Sequence, residues 1–140
     1  FMRFVAPMPG YLSRGGPYVQ TLSLKPGADG MRLLFSGAML NGFDINEEKA
    51  AEREPVVLLD HIRDGGFAYR SLDDQGQLLP WNSSWDDPSI TPLMVQIQLV
   101  MQSGERIDWP TLEVPMMLDS GAARPQRVLP LRTNTGATHR

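Results

Sequence analysis

The fold class is decided by the stretch Phe67-Ala68-Tyr69-Arg70-Ser71-Leu72-Asp73-Asp74-Gln75-Gly76 and the later run Pro92-Leu93-Met94-Val95-Gln96-Ile97-Gln98-Leu99-Val100. The first stretch predicts a strand followed by a turn, because two aromatic residues alternate and Asp and Gly then favour chain reversal. In the second run two glutamines alternate with Val95, Ile97 and Leu99, which is the period of a half-buried strand. This part of the chain is therefore predicted to be rich in β-structure.

Composition sets the limits of what the protein can be. The chain has 140 residues, enough for one domain with its own core, and its 13 glycines and 12 prolines favour short elements joined by many turns. Its net charge is −3 and its 13 basic residues are scattered, so the basic surface of a nucleic-acid-binding protein is missing. The absence of cysteine excludes disulfides, thiolate metal sites and cysteine nucleophiles. No apolar run is long enough to span a membrane.

Further strands follow from alternation and turn residues. Tyr18–Leu24 and Met31–Gly37 predict a hairpin around a turn at Pro26–Gly30. The remaining predicted strands are Pro55–Ile62, ending in a kink at Gly65-Gly66, then 67–72, 93–101 and 106–117, the last two joined by a turn at Gln102–Glu105.

Other segments are predicted to be less regular. Residues 1–12 are expected to be irregular or extended, because Pro7 and Pro9 prevent a regular helix. The acidic segment 44–54 predicts an exposed loop or a single turn of helix. The segment 119–140 lacks large apolar residues past Leu131 and is expected to be a flexible tail, which leaves residues 1–118 as the folded domain.

The candidate chemical groups have ordinary explanations. His61 and His139 are the two imidazoles, and neither stands in a recognisable catalytic motif. The acidic cluster at 44–48 lacks the glycine and the terminal glutamate of a calcium-binding loop, so a solvated loop is favoured and a calcium site stays an alternative. Asp73 to Gly76 is interpreted as a turn. We predict no catalytic residue, no metal and no cofactor.

Three tryptophans leave an alternative open. Trp81, Trp85 and Trp109 could stack on sugar rings, which would make the chain a carbohydrate-binding β-sandwich. The other interpretation is that the indoles cover a small core and bond their N–H groups within the protein, and this one is favoured.

The order of these motifs resembles the soluble head of a J-type minor pseudopilin of bacterial type II secretion systems. The features that carry the resemblance are Phe67-x-Tyr69, Asp74-x-Gly76, the loop with Trp81 and Trp85, the step Pro92-Leu93, and the strands Met94–Met101 and Ile107–Met117. The Pro-Leu order is the reverse of the usual Leu-Pro step.

The resemblance implies an α+β, β-rich head with two antiparallel sheets, preceded in the full-length protein by a hydrophobic helix that this sequence does not contain. It implies a non-enzymatic protein, anchored in the inner membrane and exposed to the periplasm, that assembles with the I-type and K-type minor pseudopilins. It carries over no catalytic residue and no cofactor.

The amino-terminal segment is the predicted partner interface. Phe4, Val5, Met8 and Tyr11 stand beside prolines and a glycine, so they do not form a regular buried element, and apolar groups near the surface tend to mark contact sites. The alternative is that they seal the base of the core.

Overall fold

A computed structural model describes residues 1–8, 10–12, 15–43 and 54–117. Six strands form one antiparallel sheet in which each strand pairs with the next along the chain. They are β1 (Met2–Pro7), β2 (Pro17–Gly27), β3 (Gly30–Met39), β4 (Val56–Arg70), β5 (Met94–Met101) and β6 (Leu112–Pro115). The described residues contain no helix, and so none that could cross a membrane.

The predicted β-rich fold is confirmed, but its two-sheet arrangement is not. All six strands join one sheet because β4 runs without interruption for 15 residues. The amino half of β4 pairs with β3 and the carboxyl half pairs with β5, and Ile62 belongs to both registers. The helical part of the predicted α+β fold is not confirmed either. Residues 2–7 form a strand, and segments 44–53 and 118–140, with His139, lie outside the described residues.

The β2–β3 hairpin is confirmed almost as predicted. Its strands are longer than expected, and the reversal takes place at Ala28-Asp29. Gly30 follows with a φ of 92°, a backbone conformation that residues with a side chain adopt at a cost.

The kink predicted at Gly65-Gly66 is not found there; the irregular position of β4 lies earlier, at His61. This residue has a φ of 58°, and the pairing of β4 with β5 shifts register between Ile62 and Asp64. Gly65 has another role: a Cβ there would lie 2.7 Å from the Gln98 carbonyl oxygen, so a glycine allows β5 to approach.

The predicted strand 106–117 is confirmed only at Leu112–Pro115. The turn after Gln102 forms, since the Glu105 N–H bonds to the Gln102 carbonyl oxygen at 3.3 Å, but the ladder resumes only at Leu112. Two residues before Leu112 explain why the ladder does not resume sooner. Trp109 packs against the core, and Pro110 has no N–H to give to a ladder.

The core lies where the two halves of β4 meet. Leu33, Ile62 and Leu99 form its buried centre, and Ile62 is fully buried. The partly buried residues around it are Leu22, Leu24, Met31, Leu59, Phe67, Ile97, Met101 and Trp109. Every strand from β2 to β5 contributes to this cluster, so the core holds both halves of the sheet together.

Candidate partner interface

The predicted interface residues lie on and just after β1, the outer strand of the sheet. Directly paired residues of neighbouring strands point to the same face. Phe4 pairs with Gln20, which pairs with Gly37, whereas Val5 pairs with Val19. Phe4 and Val5 therefore belong to opposite faces.

The four residues also differ in exposure. Val5 is 55% exposed and Tyr11 is 87% exposed, whereas Phe4 and Met8 are half-buried. A Cβ on Gly37 would come within 3.7 Å of the Met8 Cε, so the Met8 side chain reaches over β3. The structure thus brings Phe4 and Met8 toward one face and leaves Val5 and Tyr11 open to solvent.

A buried glutamine holds the end of β1 in place. Gln20 is 8% exposed, and its side-chain Nε2 donates to the carbonyl oxygens of Ala6 at 3.1 Å and Pro7 at 3.3 Å. Because a buried amide without partners is costly, these bonds make Gln20 suited to that position. The exposed segment that follows is therefore attached to a defined strand end.

A cation surrounded by aromatic rings lies at the start of β1, and sequence reasoning missed it. The Arg3 guanidinium carbon is 5.4 Å from the centre of the Phe1 ring and 5.8 Å from that of Phe43. Its Nε donates to the Thr21 hydroxyl at 3.1 Å. Phe43 is forty positions away in sequence, so only the strand pairing brings it to Arg3. The contact distances are within the range of cation–π attraction.

The three tryptophans all take part in internal contacts. The Arg70 guanidinium carbon lies 4.3 Å from the centre of the Trp81 ring. The Trp85 Nε1 donates to the Ile90 carbonyl oxygen at 2.7 Å, and its ring is 6.3 Å from that of Tyr69. Trp109 packs on the core, but its buried Nε1 has no hydrogen-bond partner among the described residues. The predicted covering of the core is therefore supported for Trp109, and the predicted internal N–H partner is found for Trp85. These contacts do not test the alternative of sugar binding.

The predicted turn at Asp73 is confirmed. Asp73 Oδ1 accepts the backbone N–H groups of Gln75 and Gln77, both at 2.8 Å, and Gly76 has a φ of 79°. The turn connects Leu72 to Leu78, which pair with each other in an isolated bridge. It does not connect β4 directly to β5. Asp73 thus has the structural role that its sequence context predicted.

Among the described residues, His61 is the remaining candidate for catalysis, and it lies at the surface beside a single carboxylate. His61 Nδ1 lies 3.6 Å from Glu105 Oε1 at the surface. Among the described residues, no group of three or more His, Asp and Glu side chains is placed to hold a metal ion.

In the part of the chain that the structure describes, three titratable groups have shifted pKa values, each with a local cause. Burial raises the pKa of Tyr69. The Ser89 hydroxyl, and then its backbone N–H, lower the pKa of Asp87. The pKa of Asp60 is lowered mainly by the backbone N–H of His61 and further by Arg32. Hydrogen bonds to a carboxylate favour its charged form, so both aspartates stabilise local backbone geometry.

A comparison with curated proteins identifies a relative of this chain. It is 35% identical over 122 residues to the type II secretion system protein J of Xanthomonas campestris pv. campestris. This chain is related to the type II secretion J proteins. The resemblance inferred from Phe67-x-Tyr69 and the motifs after it is therefore confirmed.

The match covers most of this chain but only part of the relative. It covers 86% of this chain but 56% of the relative, so the chain corresponds to little more than half of that J protein. No protein-family model matches the chain. A search of solved structures gives no significant match.

Proposed function

We propose that this chain is the head of a J-type minor pseudopilin, a structural component of the type II secretion filament. The observation that carries the proposal is the similarity to a J protein over 122 residues, most of the chain. The contacts of the described residues fit a structural role, since the candidate histidine and carboxylates serve turns, bulges and surface pairs.

In the proposed assembly the head binds the I-type and K-type minor pseudopilins at the tip of the filament. There the complex initiates or caps the filament, which supports export of folded proteins across the outer membrane. The full-length protein is anchored in the inner membrane by an amino-terminal helix, and its head faces the periplasm. This role requires no catalytic residue and no cofactor.

The experiment that tests the proposal is reconstitution of the complex. The chain is mixed with the cognate I-type and K-type heads, and the mass of the product is measured by size-exclusion chromatography with light scattering. We expect a binary or ternary complex. If the chain elutes alone with either partner and with both together, the proposal is wrong.

The interface is proposed to include Val5 and Tyr11, the two predicted residues that the structure leaves exposed. Tyrosine is among the residues that contribute most to association, and apolar groups at the surface tend to mark contact sites. Val5→Ser and Tyr11→Ser are expected to weaken the complex and leave the melting temperature within about 2 °C of the original, since neither side chain is buried.

Two further variants separate this interface from packing. Met8→Ser is expected to lower the melting temperature, because the side chain is half-buried beside Gly37. Leu72→Ser removes an exposed apolar residue elsewhere and is expected to leave both the complex and the melting temperature unchanged. Equal weakening of the complex by Leu72→Ser and Tyr11→Ser would contradict the proposed interface.

A further inference from the structure

A second open surface lies along the amino half of β4. Val56, Val57 and Leu59 pair with β3 on one side, whereas the pairing of β4 with β5 begins only at Ile62. The Gln102 N–H bonds to the His61 carbonyl oxygen at 2.9 Å, and there the chain after β5 turns away. On this side, no strand of the described residues pairs with Val56 to Asp60. We call these five residues the open edge.

The first three side chains of the open edge are apolar although they face solvent. Val56, Val57 and Leu58 are 57%, 47% and 53% exposed. Neighbouring residues of a strand point to opposite faces, so three exposed neighbours place apolar groups on both faces of the strand. An occupant of this edge would therefore contact apolar groups above and below its own backbone.

The two terminal strands of the sheet have features that discourage added strands. β1 contains Arg3 and ends in Pro7, and β6 contains Glu113 and ends in Pro115. Charged residues and prolines on edge strands oppose pairing with other chains. The open edge has neither from Val56 to Leu59. It is therefore the part of the sheet that is least protected against an added strand.

A bulge increases the number of unpaired backbone groups. Val57 pairs with Leu34 and Leu59 pairs with Leu33, so Leu58 is an extra residue without a partner on β3. Bulges occur often at sheet edges, where they redirect a side chain toward a neighbour. Backbone N–H and C=O groups along such an edge are matched only by another extended backbone.

The charges at the two ends of the edge indicate which strand fits. Glu54 is exposed just before the edge, whereas Asp60 at the other end already pairs with Arg32 at 3.2 Å. The occupant should therefore offer a cation beside Glu54. A second copy of this chain fits poorly, because antiparallel pairing of two edges centred on Val57 would bring Glu54 of each copy beside Asp60 of the other.

We propose that the open edge binds an extended segment of another protein as an added antiparallel strand, with β-branched residues on both faces and a Lys or Arg at its carboxyl end. The antiparallel direction continues the line of β5 and places the carboxyl end of the segment beside Val56 and Glu54. Backbone hydrogen bonds hold the segment, and the contacts with Val56, Val57 and Leu58 select apolar residues. This proposal does not depend on the proposed function.

The test uses a synthetic peptide, acetyl-Thr-Val-Thr-Val-Thr-Lys-amide, and amide hydrogen exchange of the whole chain. We expect fast exchange in the free chain at those amides of Val56 to Asp60 that are not bonded to β3, and exchange there slowed by about tenfold or more when peptide is saturating. Slow exchange of these amides in the free chain would mean that the protein's own residues cover the edge. Exchange that stays unchanged when the peptide is added would mean that no strand binds. Either result overturns the proposal.

Matched variants locate the binding. Leu58→Lys and Val5→Lys replace side chains of nearly equal exposure, 53% and 55%, on two different edges. We expect Leu58→Lys to weaken peptide binding at least about tenfold and Val5→Lys to leave it unchanged, with both chains folded by circular dichroism. A peptide ending in Glu instead of Lys should bind about threefold more weakly, since exposed charge pairs have modest effects.

Two results would contradict the assignment. Equal loss of peptide binding in Val5→Lys would place the peptide on β1. A dimer that grows with concentration in analytical ultracentrifugation, and that Leu58→Lys abolishes, would show that a second copy occupies the edge.

Discussion

The two halves of β4 have opposite environments. The amino half begins with four consecutive apolar residues, yet Val56 to Leu58 are about half exposed or more. The carboxyl half contains Arg63, Asp64 and two glycines, yet it pairs with β5 as far as Arg70 and is bridged on its other side where Tyr69 and Asn82 exchange backbone hydrogen bonds. Along this strand, apolar content alone therefore does not decide which residues are buried.

The largest expected effect is at the boundary between the two halves. Ile62→Ala is expected to lower the free energy of unfolding by about 2–5 kcal/mol, because a fully buried side chain leaves a cavity among Leu33 and Leu99. Leu58→Ala, in the exposed half, should cost less than about 1 kcal/mol. Urea denaturation of both variants measures the difference. Equal losses would mean that Leu58 contributes as much to the packed core as Ile62, so that the two halves of β4 would not differ in burial.

The next effect concerns the close contact of the carboxyl half with β5. Gly65→Ala is expected to cost about 1–3 kcal/mol, because its Cβ would lie 2.7 Å from the Gln98 carbonyl oxygen and 2.9 Å from the Leu99 Cδ2. The matched control is Gly66→Ala, where an added Cβ meets nothing within 4 Å. Thermal unfolding of the pair checks this. A Gly66→Ala variant as unstable as Gly65→Ala would remove the contact with β5 as the cause.

Sequence reasoning found β2 to β5, but not β1, because the local signals of these four strands were strong. Alternation of apolar and polar residues identified β5, and turn residues identified the β2–β3 hairpin and the Asp73 turn. These signals depend only on residues that are neighbours in the sequence, so they can be recognised without knowledge of the fold.

What sequence reasoning missed depends on contacts between distant residues. β4 continues through His61 with a positive φ, which is uncommon for residues other than glycine, and no local sequence pattern predicts it. The role of Gly65 depends on the approach of β5, thirty residues later. In the candidate interface, the opposite directions of Phe4 and Val5 follow from the pairing of β1 with β2. Composition alone treated all four predicted interface residues as equivalent.

A smaller effect is expected at the turn beyond the carboxyl half. Asp73→Ala removes the acceptor of two backbone N–H groups and is expected to cost about 1 kcal/mol. Asp74→Ala, at the exposed neighbouring position, should be close to neutral. Chemical denaturation of both variants tests the difference. If the two variants prove equally stable, the turn does not contribute to holding this end of β4.

The smallest effect concerns Asp60, where the two halves meet. Its carboxylate accepts the His61 N–H at 2.8 Å and the Arg32 Nε at 3.3 Å, and its pKa is lowered mainly by the first of these bonds. A lowered pKa in the folded protein means that the charged carboxylate stabilises the fold above about pH 4 and that this contribution disappears as the pH falls through the lowered value. Asp60→Asn should therefore make the stability less dependent on pH below about pH 4.

A second variant separates the two causes of the Asp60 shift. Arg32→Gln removes the ion pair but keeps the His61 N–H, so most of the pH dependence should remain. The measurement is the urea midpoint of the three proteins between about pH 2 and pH 6. If Arg32→Gln flattens the profile as much as Asp60→Asn, the ion pair between β3 and β4 would dominate. The bulge at His61 would then be held by the pairing of the amino half with β3 rather than by the local carboxylate.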